Sequence, residues 1–411
     1  MVKPGYKQTE IGVIPEDWEC CNIEQYGQIY GGGTPSTNIP KYWDGAIAWC
    51  TPSDITKTAG KYISKTDRTI TIDGLNNSAA TLMPNNSILL CTRATIGELK
   101  LCSIPMTTNQ GFKNIILNGE NSPDFLYYLL QIKKDDMYAL AIGSTFLELS
   151  KTNLCKIALQ RPPFPEQQKI ATALSDIDAL ITNLEKLIAK KKAIKQGAMQ
   201  ELLTGKRRLK GFRGDWHDIA IGSFADVYAG GTPSTANPAY WDGDIPWMSS
   251  GELNKKVVSC VQGRITQAGL ENSSTRIIPA HCVLIGLAGQ GKTRGTAAYN
   301  TISLCTNQSI AAILPNPSEF DSKFLYYYMD TQYKALRELS DGGGGRGGLT
   351  KKLIEEFSVR IPVDLEEQVA IASVFTDIDY EIEKLVKELN KYRGIKSGMM
   401  SELLTGRIRL V

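Results

Sequence analysis

The strongest constraint on this chain is that it is written twice. Gly32-Gly33-Thr34-Pro35-Ser36-Thr37 is followed by Tyr42-Trp43-Asp44-Gly45 and Trp49. The same pattern returns as Gly230-Gly231-Thr232-Pro233-Ser234-Thr235, Tyr240-Trp241-Asp242-Gly243 and Trp247, each position 198 residues on. Asp17-Trp18 with Asp215-Trp216, and Thr108-Asn109-Gln110 with Thr306-Asn307-Gln308, keep that offset. A second echo, 201 residues apart, joins Gln200-Glu201-Leu202-Leu203-Thr204-Gly205 to Ser401-Glu402-Leu403-Leu404-Thr405-Gly406. Solenoid units run about 20–50 residues, so a period near 200 marks a duplicated module of domain size. Two similar surfaces in one chain can grip a two-part target.

At 411 residues, 42% hydrophobic and 22% charged, the chain can bury a core in each of several domains. Its nine cysteines are scattered, without a Cys-x-x-Cys pair. This spacing argues for reduced thiols in a cytoplasmic protein rather than a disulfide framework or zinc ribbon. With only His217 and His281 as histidines, no histidine-rich metal site is expected. No apolar run approaches the ~18 residues of a membrane span, and no apolar signal region is expected at the N-terminus. A net charge of +3 permits nucleic-acid binding without arguing for it.

Each half divides into a mixed segment and a long helix. The boundaries read from the sequence are 1–164 and 207–364 for two α+β domains, with helices over 165–206 and 365–411. Short β-like runs such as Ser87–Cys91 and His281–Ile285 sit between Gly, Pro and Asn turn signals. The six tryptophans form three equivalent pairs, 18/216, 43/241 and 49/247. They read as core anchors, with base stacking as the alternative. In the first long helix Ile170, Leu174, Ile177, Ile181, Leu184 and Ile188 step by 4, 3, 4, 3, 4. In the second, Ile371, Phe375, Ile378, Ile382, Leu385, Leu389 and Tyr392 step by 4, 3, 4, 3, 4, 3. An average of 3.5 keeps one seam facing a partner helix. Each helix is about 40 residues and roughly 60 Å long, so each should pair with its repeat. The short link after Gly205 favours antiparallel pairing about a pseudo-two-fold axis, with a mixed domain at each end.

Several motifs invite other readings. Gly286-Leu287-Ala288-Gly289-Gln290-Gly291-Lys292-Thr293 fits the phosphate-loop pattern and follows an apolar strand. A phosphate loop must open a helix, and Arg294–Asn300 shows no helix start. The first copy, Cys91-Thr92-Arg93-Ala94-Thr95-Ile96-Gly97, also lacks the Lys-Thr pair. Arg161-Pro162-Pro163-Phe164 is similar to an amine-methyltransferase signature, but arginine has no acceptor for the amine's hydrogens. Asp73, Glu98 and Lys100 form a nuclease-like set of a kind that arises by chance. The glycine-rich stretch Asp341–Gly348 reads equally as a tether or as a loop approaching a ligand. Lys190, Lys191, Lys192, Lys195 and Lys206-Arg207-Arg208 read as a solvated basic face, with phosphates or an acidic partner as the alternative.

A duplicated α+β domain tied to a heptad helix resembles the DNA-specificity subunit of type I restriction–modification systems. The resemblance is carried by the Gly-Gly-Thr-Pro-Ser and Tyr-Trp-Asp-Gly motifs of both copies and by Thr92–Gly97. Thr108-Asn109-Gln110-Gly111, Pro165-Glu166-Gln167-Gln168-Lys169-Ile170-Ala171 and the two Glu-Leu-Leu-Thr-Gly endings complete it. It implies two target recognition domains, each reading half of a bipartite, asymmetric duplex DNA site across an unspecified spacer. The paired helices would set the spacer and dock two modification subunits. S-adenosylmethionine, ATP and magnesium would belong to the modification and restriction partners, so this chain itself would be non-catalytic. Residues expected to contact DNA are Arg93, Thr95 and Ser144 in the first domain and Gln290, Lys292, Arg294 and Arg346 in the second. The second copy carries three extra residues around Gly289–Arg294, since Leu89 matches Leu284 but Asn109 matches Asn307. Two heads reading different sequences would differ in this way. A nucleotide-binding ATPase and a coiled-coil scaffold without DNA contact are the rival classes.

Overall fold

In the computed structural model, residues 2–143, 147–289, 293–341 and 348–411 are described. The chain divides into two compact units, one formed by Met1–Leu187 with Val386–Val411 and the other by Ile188–Leu385.

The head of the first unit carries a five-stranded sheet. Its spatial order is Gly27–Gly31, Phe112–Leu117, Ile88–Cys91, Leu99–Cys102 and Tyr62–Ile63. The central strand Ile88–Cys91 is buried along its whole length, as expected of an apolar strand covered on both faces. On one face lies the helix Pro123–Ile132, N-capped by Ser122, whose hydroxyl accepts from the Phe125 N–H. A smaller sheet of Met106–Thr108, Trp43–Cys50 and Arg68–Ile70 lies in the same head, with the strand pairs Tyr6–Thr9 and Gly12–Pro15, and Glu19–Cys21 and Leu159–Arg161. In the smaller sheet Trp49 lies opposite Thr107 in a parallel pair, and a bulge between Trp43 and Ile47 shifts the register. Asp44 takes a φ of 59° in that bulge.

The head of the second unit repeats this order. Its larger sheet runs Val227–Ala229, Ile310–Ile313, Val283–Gly286, Ala297–Asn300 and Val257–Val258, and its smaller sheet holds Gly263–Ile265, Trp241–Met248 and Cys305–Thr306. The bulge recurs between Trp241 and Ile245, with Asp242 at φ 61°. The two heads are therefore one mixed α/β architecture used twice.

The long helices cover Phe164–Leu202 and Leu365–Leu403, 39 residues each. Gly205 and Gly406 follow them at φ 71° and 72°, the left-handed conformation that ends a helix. Each unit contains the start of one long helix and the end of the other, and the two run antiparallel. In the first unit Asp178 pairs with Lys396 at 2.6 Å and Glu185 with Arg393 at 2.7 Å. In the second Lys191 pairs with Glu381 and Lys195 with Asp379 at 2.6 Å. Partner numbers fall as one's own rise, so the direction is unambiguous.

The helix seam divides into two parts. Ile177, Ile181, Leu184, Ile188 and Leu389 are buried, and Ile378, Ile382, Leu385 and Tyr392 are half-buried. Ile170 and Leu174, however, pack into the core of the first head with Trp18, Phe125 and Tyr128. Ile371 and Phe375 do the same in the second. The first turns of each helix thus serve the head, which accounts for their burial more directly than coiled-coil pairing does.

Candidate nucleic-acid interface

The motif Gly32–Thr37 forms a loop fixed from below. The Trp43 and Trp49 rings meet edge to face at 5.0 Å and 89°. Their indole N–H groups donate to Ser36 O at 3.1 Å and Gly33 O at 2.8 Å. Gly33 N–H donates to Thr108 O at 2.9 Å, and the Thr34 hydroxyl donates to Gln110 Oε1 at 2.5 Å. A Cβ on Gly32 would lie 1.9 Å from Asn109 O, so only glycine permits this approach. The second head reproduces each contact. Trp241 and Trp247 pack at 5.0 Å and 88° and donate to Ser234 O and Gly231 O. Thr232 donates to Gln308. The tryptophans are pegs beneath the loop, as the core-anchor reading expects, although Trp241 and Trp247 are only half-buried.

The turn that differs between the heads meets the same stretch that holds this loop, Thr92 N–H donating to Gly111 O and Leu287 N–H to Ser309 O. Cys91 N–H donates to Glu98 O and Gly97 N–H to Cys91 O; Gly286 N–H donates to Thr296 O and Gly295 N–H to Gly286 O. Identical closing bonds thus bracket residues 92–97 in one head and 287–295 in the other, which places the three-residue insertion in this turn. Its chain continues into the strand Ala297–Asn300. With no helix opened there, the phosphate-loop reading fails on geometry. Arg93 is exposed and pairs with Glu148 at 2.6 Å, while Lys113 lies 3.7 Å from the same carboxylate. Thr95 and Arg294 are half-buried. Ser144, Gln290, Lys292 and Arg346, and Gly342–Gly347 of the glycine-rich stretch, lie outside the described residues.

The other sequence candidates disperse. Asp73 faces Lys41 at 3.9 Å, whereas Glu98 pairs with Lys134, so they do not form one carboxylate cluster. Arg161 is taken up by Glu19. Cys21, Cys91 and Cys282 are pushed up to about 12 chiefly by burial, which keeps them protonated and poor as nucleophiles. Among the described residues no group of three or more His, Cys, Asp or Glu could hold a metal ion. An open groove of about 820 Å³ in the first unit is lined by Lys61, Lys100, Lys134, Lys186 and Lys396. Lys134 and Lys396 are neutralised there by Glu98 and Asp178, and Lys61 by Asp124.

The basic residues after the long helices have a role that sequence reasoning missed. Arg208 makes a two-pronged contact to buried Glu367, at 2.5 and 2.6 Å. Arg409 does the same to buried Glu166, at 2.8 Å on both oxygens, and reaches Asp17 at 2.7 Å. Trp18 Nε1 also donates to Glu166, at 2.9 Å. Burial alone would raise the Glu166 carboxyl, but Arg409 and Trp18 together hold it below its ordinary value. Hydrogen bonding to Arg409 likewise lowers Asp17. The neighbouring Gln167 accepts from Ser122 N–H and donates to Pro162 O; Gln368 accepts from Asp321 N–H and donates to Pro362 O. The Glu-Gln pair of the sequence motif is therefore a buried joint between head and helix. Asp178 accepts from Tyr128 at 2.8 Å as well as from Lys396; Asp379 accepts from Tyr327 at 3.0 Å as well as from Lys195.

In both heads the platform loop is held by the same indole and backbone bonds. Comparison with known proteins places this arrangement in a family. The family model described as the type I restriction modification DNA specificity domain matches residues 15–196 and 213–391. The type I restriction enzyme MjaIX specificity subunit of Methanocaldococcus jannaschii is 43% identical over 183 residues, 44% of this chain and 42% of that one. The putative MjaX specificity subunit of the same organism is 27% identical over 457 aligned residues, covering 99% of this chain and 97% of that one. The crystal structure of the S subunit from M. genitalium shares the fold, with a TM-score of 0.63 at 17% identity over 94% of this chain and 96% of that one. With the family model taking in most of both repeats, the chain belongs to the type I restriction–modification DNA specificity family.

Proposed function

We propose that each head reads one half of a bipartite, asymmetric site in duplex DNA for a type I restriction–modification complex. Modification and restriction subunits dock on the chain in this reading, and they carry the S-adenosylmethionine, ATP and magnesium chemistry. The observation that carries it is the contrast within the duplication: one framework and one platform loop kept twice, and an adjacent turn lengthened by three residues in one copy only. Different readers on identical scaffolds suit two unlike half-sites. A good bidentate base contact discriminates by about 1–3 kcal/mol, too little for a genome. Two heads in one chain make the second encounter intramolecular, so their selectivities compound. Arg93 and Thr95 in the first turn and Arg294 in the second are the base-edge candidates, with Ser144, Gln290, Lys292 and Arg346 as further ones. Selection from a random duplex library with the full chain tests this. Two constant half-sites at one fixed spacing are expected; a single uninterrupted motif, or none, would sink the reading.

A further inference from the structure

The platform loops carry more exposed hydrogen-bond donors than their structural work requires. In the first head Thr34, Ser36 and Thr37 are exposed; in the second Ser234 and Thr235 are exposed and Thr232 half-buried. Among the described residues no protein group accepts from the backbone N–H of Thr34, Ser36 or Thr37, nor from that of Thr232, Ser234 or Thr235. The hydroxyls of Ser36, Thr37, Ser234 and Thr235 likewise make no hydrogen bond to any described residue. The indoles and the Gly33 and Gly231 N–H groups hold only the inner side of each loop. What remains is a row of fixed, outward, uncharged donors.

Stability does not explain why both copies keep them. A solvent-facing hydroxyl without a partner contributes almost nothing to folding, and such positions drift. Immediately after the loop, exposed Asn38 and Lys41 have become Ala236 and Ala239. Ser36 and Thr37, equally exposed, return unchanged as Ser234 and Thr235. A base reader cannot be the same in two heads whose half-sites differ. The feature that every half-site shares is the sugar–phosphate backbone, and Ser, Thr, Gln and backbone N–H groups are its usual uncharged partners.

Building on the recognition reading above, we infer that the loops Gly32–Thr37 and Gly230–Thr235 are matched phosphodiester clamps. Each grips the DNA backbone and fixes its head in register, while the adjacent turns of unequal length face the bases. Gln110 and Gln308 belong to the clamps: each amide oxygen accepts from a threonine, leaving the NH2 group to donate outward.

The test compares wild type with S36A/T37A, S234A/T235A and the quadruple variant, all as full chains. Binding to a random-sequence 40-bp duplex is followed by fluorescence anisotropy across salt concentrations. Losing several hydrogen bonds to charged phosphates should weaken the quadruple variant by at least about tenfold, each pair contributing a similar share. The slope of log affinity against log salt should not change, because no cation is removed. The motif recovered from a random library should also stay the same in both halves. Near-ultraviolet circular dichroism of the tryptophan pairs confirms an intact fold. An affinity within twofold of wild type, or an altered base preference in either half-site, would overturn the clamps. A wild-type chain that binds no duplex would instead defeat the recognition reading itself.

Discussion

Replacing Arg409 with methionine isolates the joint between the chain's last residues and the first head. Methionine retains much of the apolar stem but removes both bonds to Glu166, the bond to Asp17 and the cation 5.7 Å from the Trp18 ring. Glu166, with a side chain only 3% exposed, would keep the Trp18 indole and the Leu410 N–H as donors and lose its cation. Breaking a buried pair from one side costs about 3–5 kcal/mol. Arg409 is itself 22% exposed and two donors survive, so about 3 kcal/mol is expected. In a body of this size that lowers the unfolding midpoint by about 6–12 °C. The cost should fade on acidification. Because the folded-state Glu166 carboxyl is lowered, its contribution is fully present above the unfolded value near ~4.3 and is lost as pH falls through the folded value. In the variant the stranded carboxylate would protonate readily, closing the gap from the other side. Urea unfolding of wild type, R409M, E166Q and the double variant between pH 2 and 7 measures all of this, because the lowered Glu166 carboxyl titrates below its unfolded value. A penalty below about 1 kcal/mol at pH 7, or a double variant as poor as the two single ones added, would refute a coupled joint.

The remaining expectations concern the heads and the helices. Asp178→Asn should cost the first unit about 1–2 kcal/mol through the loss of a charge-assisted bond from Tyr128 and the Lys396 pair. Asp379→Asn should do the same in the second, and unchanged urea midpoints would count against both networks. Glu148→Gln frees Arg93 and unloads Lys113, so duplex affinity should rise with a salt slope steeper by about one; weaker binding would remove Arg93 from the interface. Inserting a heptad after Leu184 together with a matching one near Lys391 preserves the antiparallel seam and adds about 10 Å of helix. At 3.4 Å per base pair, the selected spacer should lengthen by about three base pairs with both half-sites unchanged, and an unaltered spacer would rule out the helices as its ruler.

What could be read from the residues alone was whatever is written locally and periodically. The duplication, the long helices, their glycine ends and the three-residue insertion follow from spacing, and the antiparallel direction from the short link after Gly205. Periodicity does not name the surface that a stripe meets, so Ile170, Leu174, Ile371 and Phe375 read as helix seam while they serve the head cores. Charge runs are equally silent about partners. Lys191 and Lys195 find Glu381 and Asp379, and Arg208 finds Glu367, each more than 150 positions away. No local pattern distinguishes such residues from a solvated face. The phosphate-loop pattern misleads for the converse reason: its letters are local, but its chemistry depends on a helix that the following strand forbids. The Gly-Gly-Thr-Pro-Ser loop was visible as a motif. Only the indole bonds beneath it show which of its atoms are committed and which face outward.

Those distant pairings also change which part of the chain supports which head. The last residues follow the second head in sequence, yet Leu403 and Leu404 lie in the first head's core, Gln160 donates to Leu404 O, and Tyr6 donates to Gly406 O. Leu202 and Leu203 enter the second head's core in the same way, and Arg208 closes on Glu367. Each head is thus completed by the end of the helix that begins at the other. Removing Arg407–Val411 should therefore loosen the first head and leave its sequence neighbour intact. Hydrogen exchange gives a direct comparison: protection should fall around Trp18 and the Pro123–Ile132 helix, and hold in Ser322–Thr331. Equal loss in both heads, or loss confined to the second, would show that sequence order rather than this exchange of helix ends governs local stability.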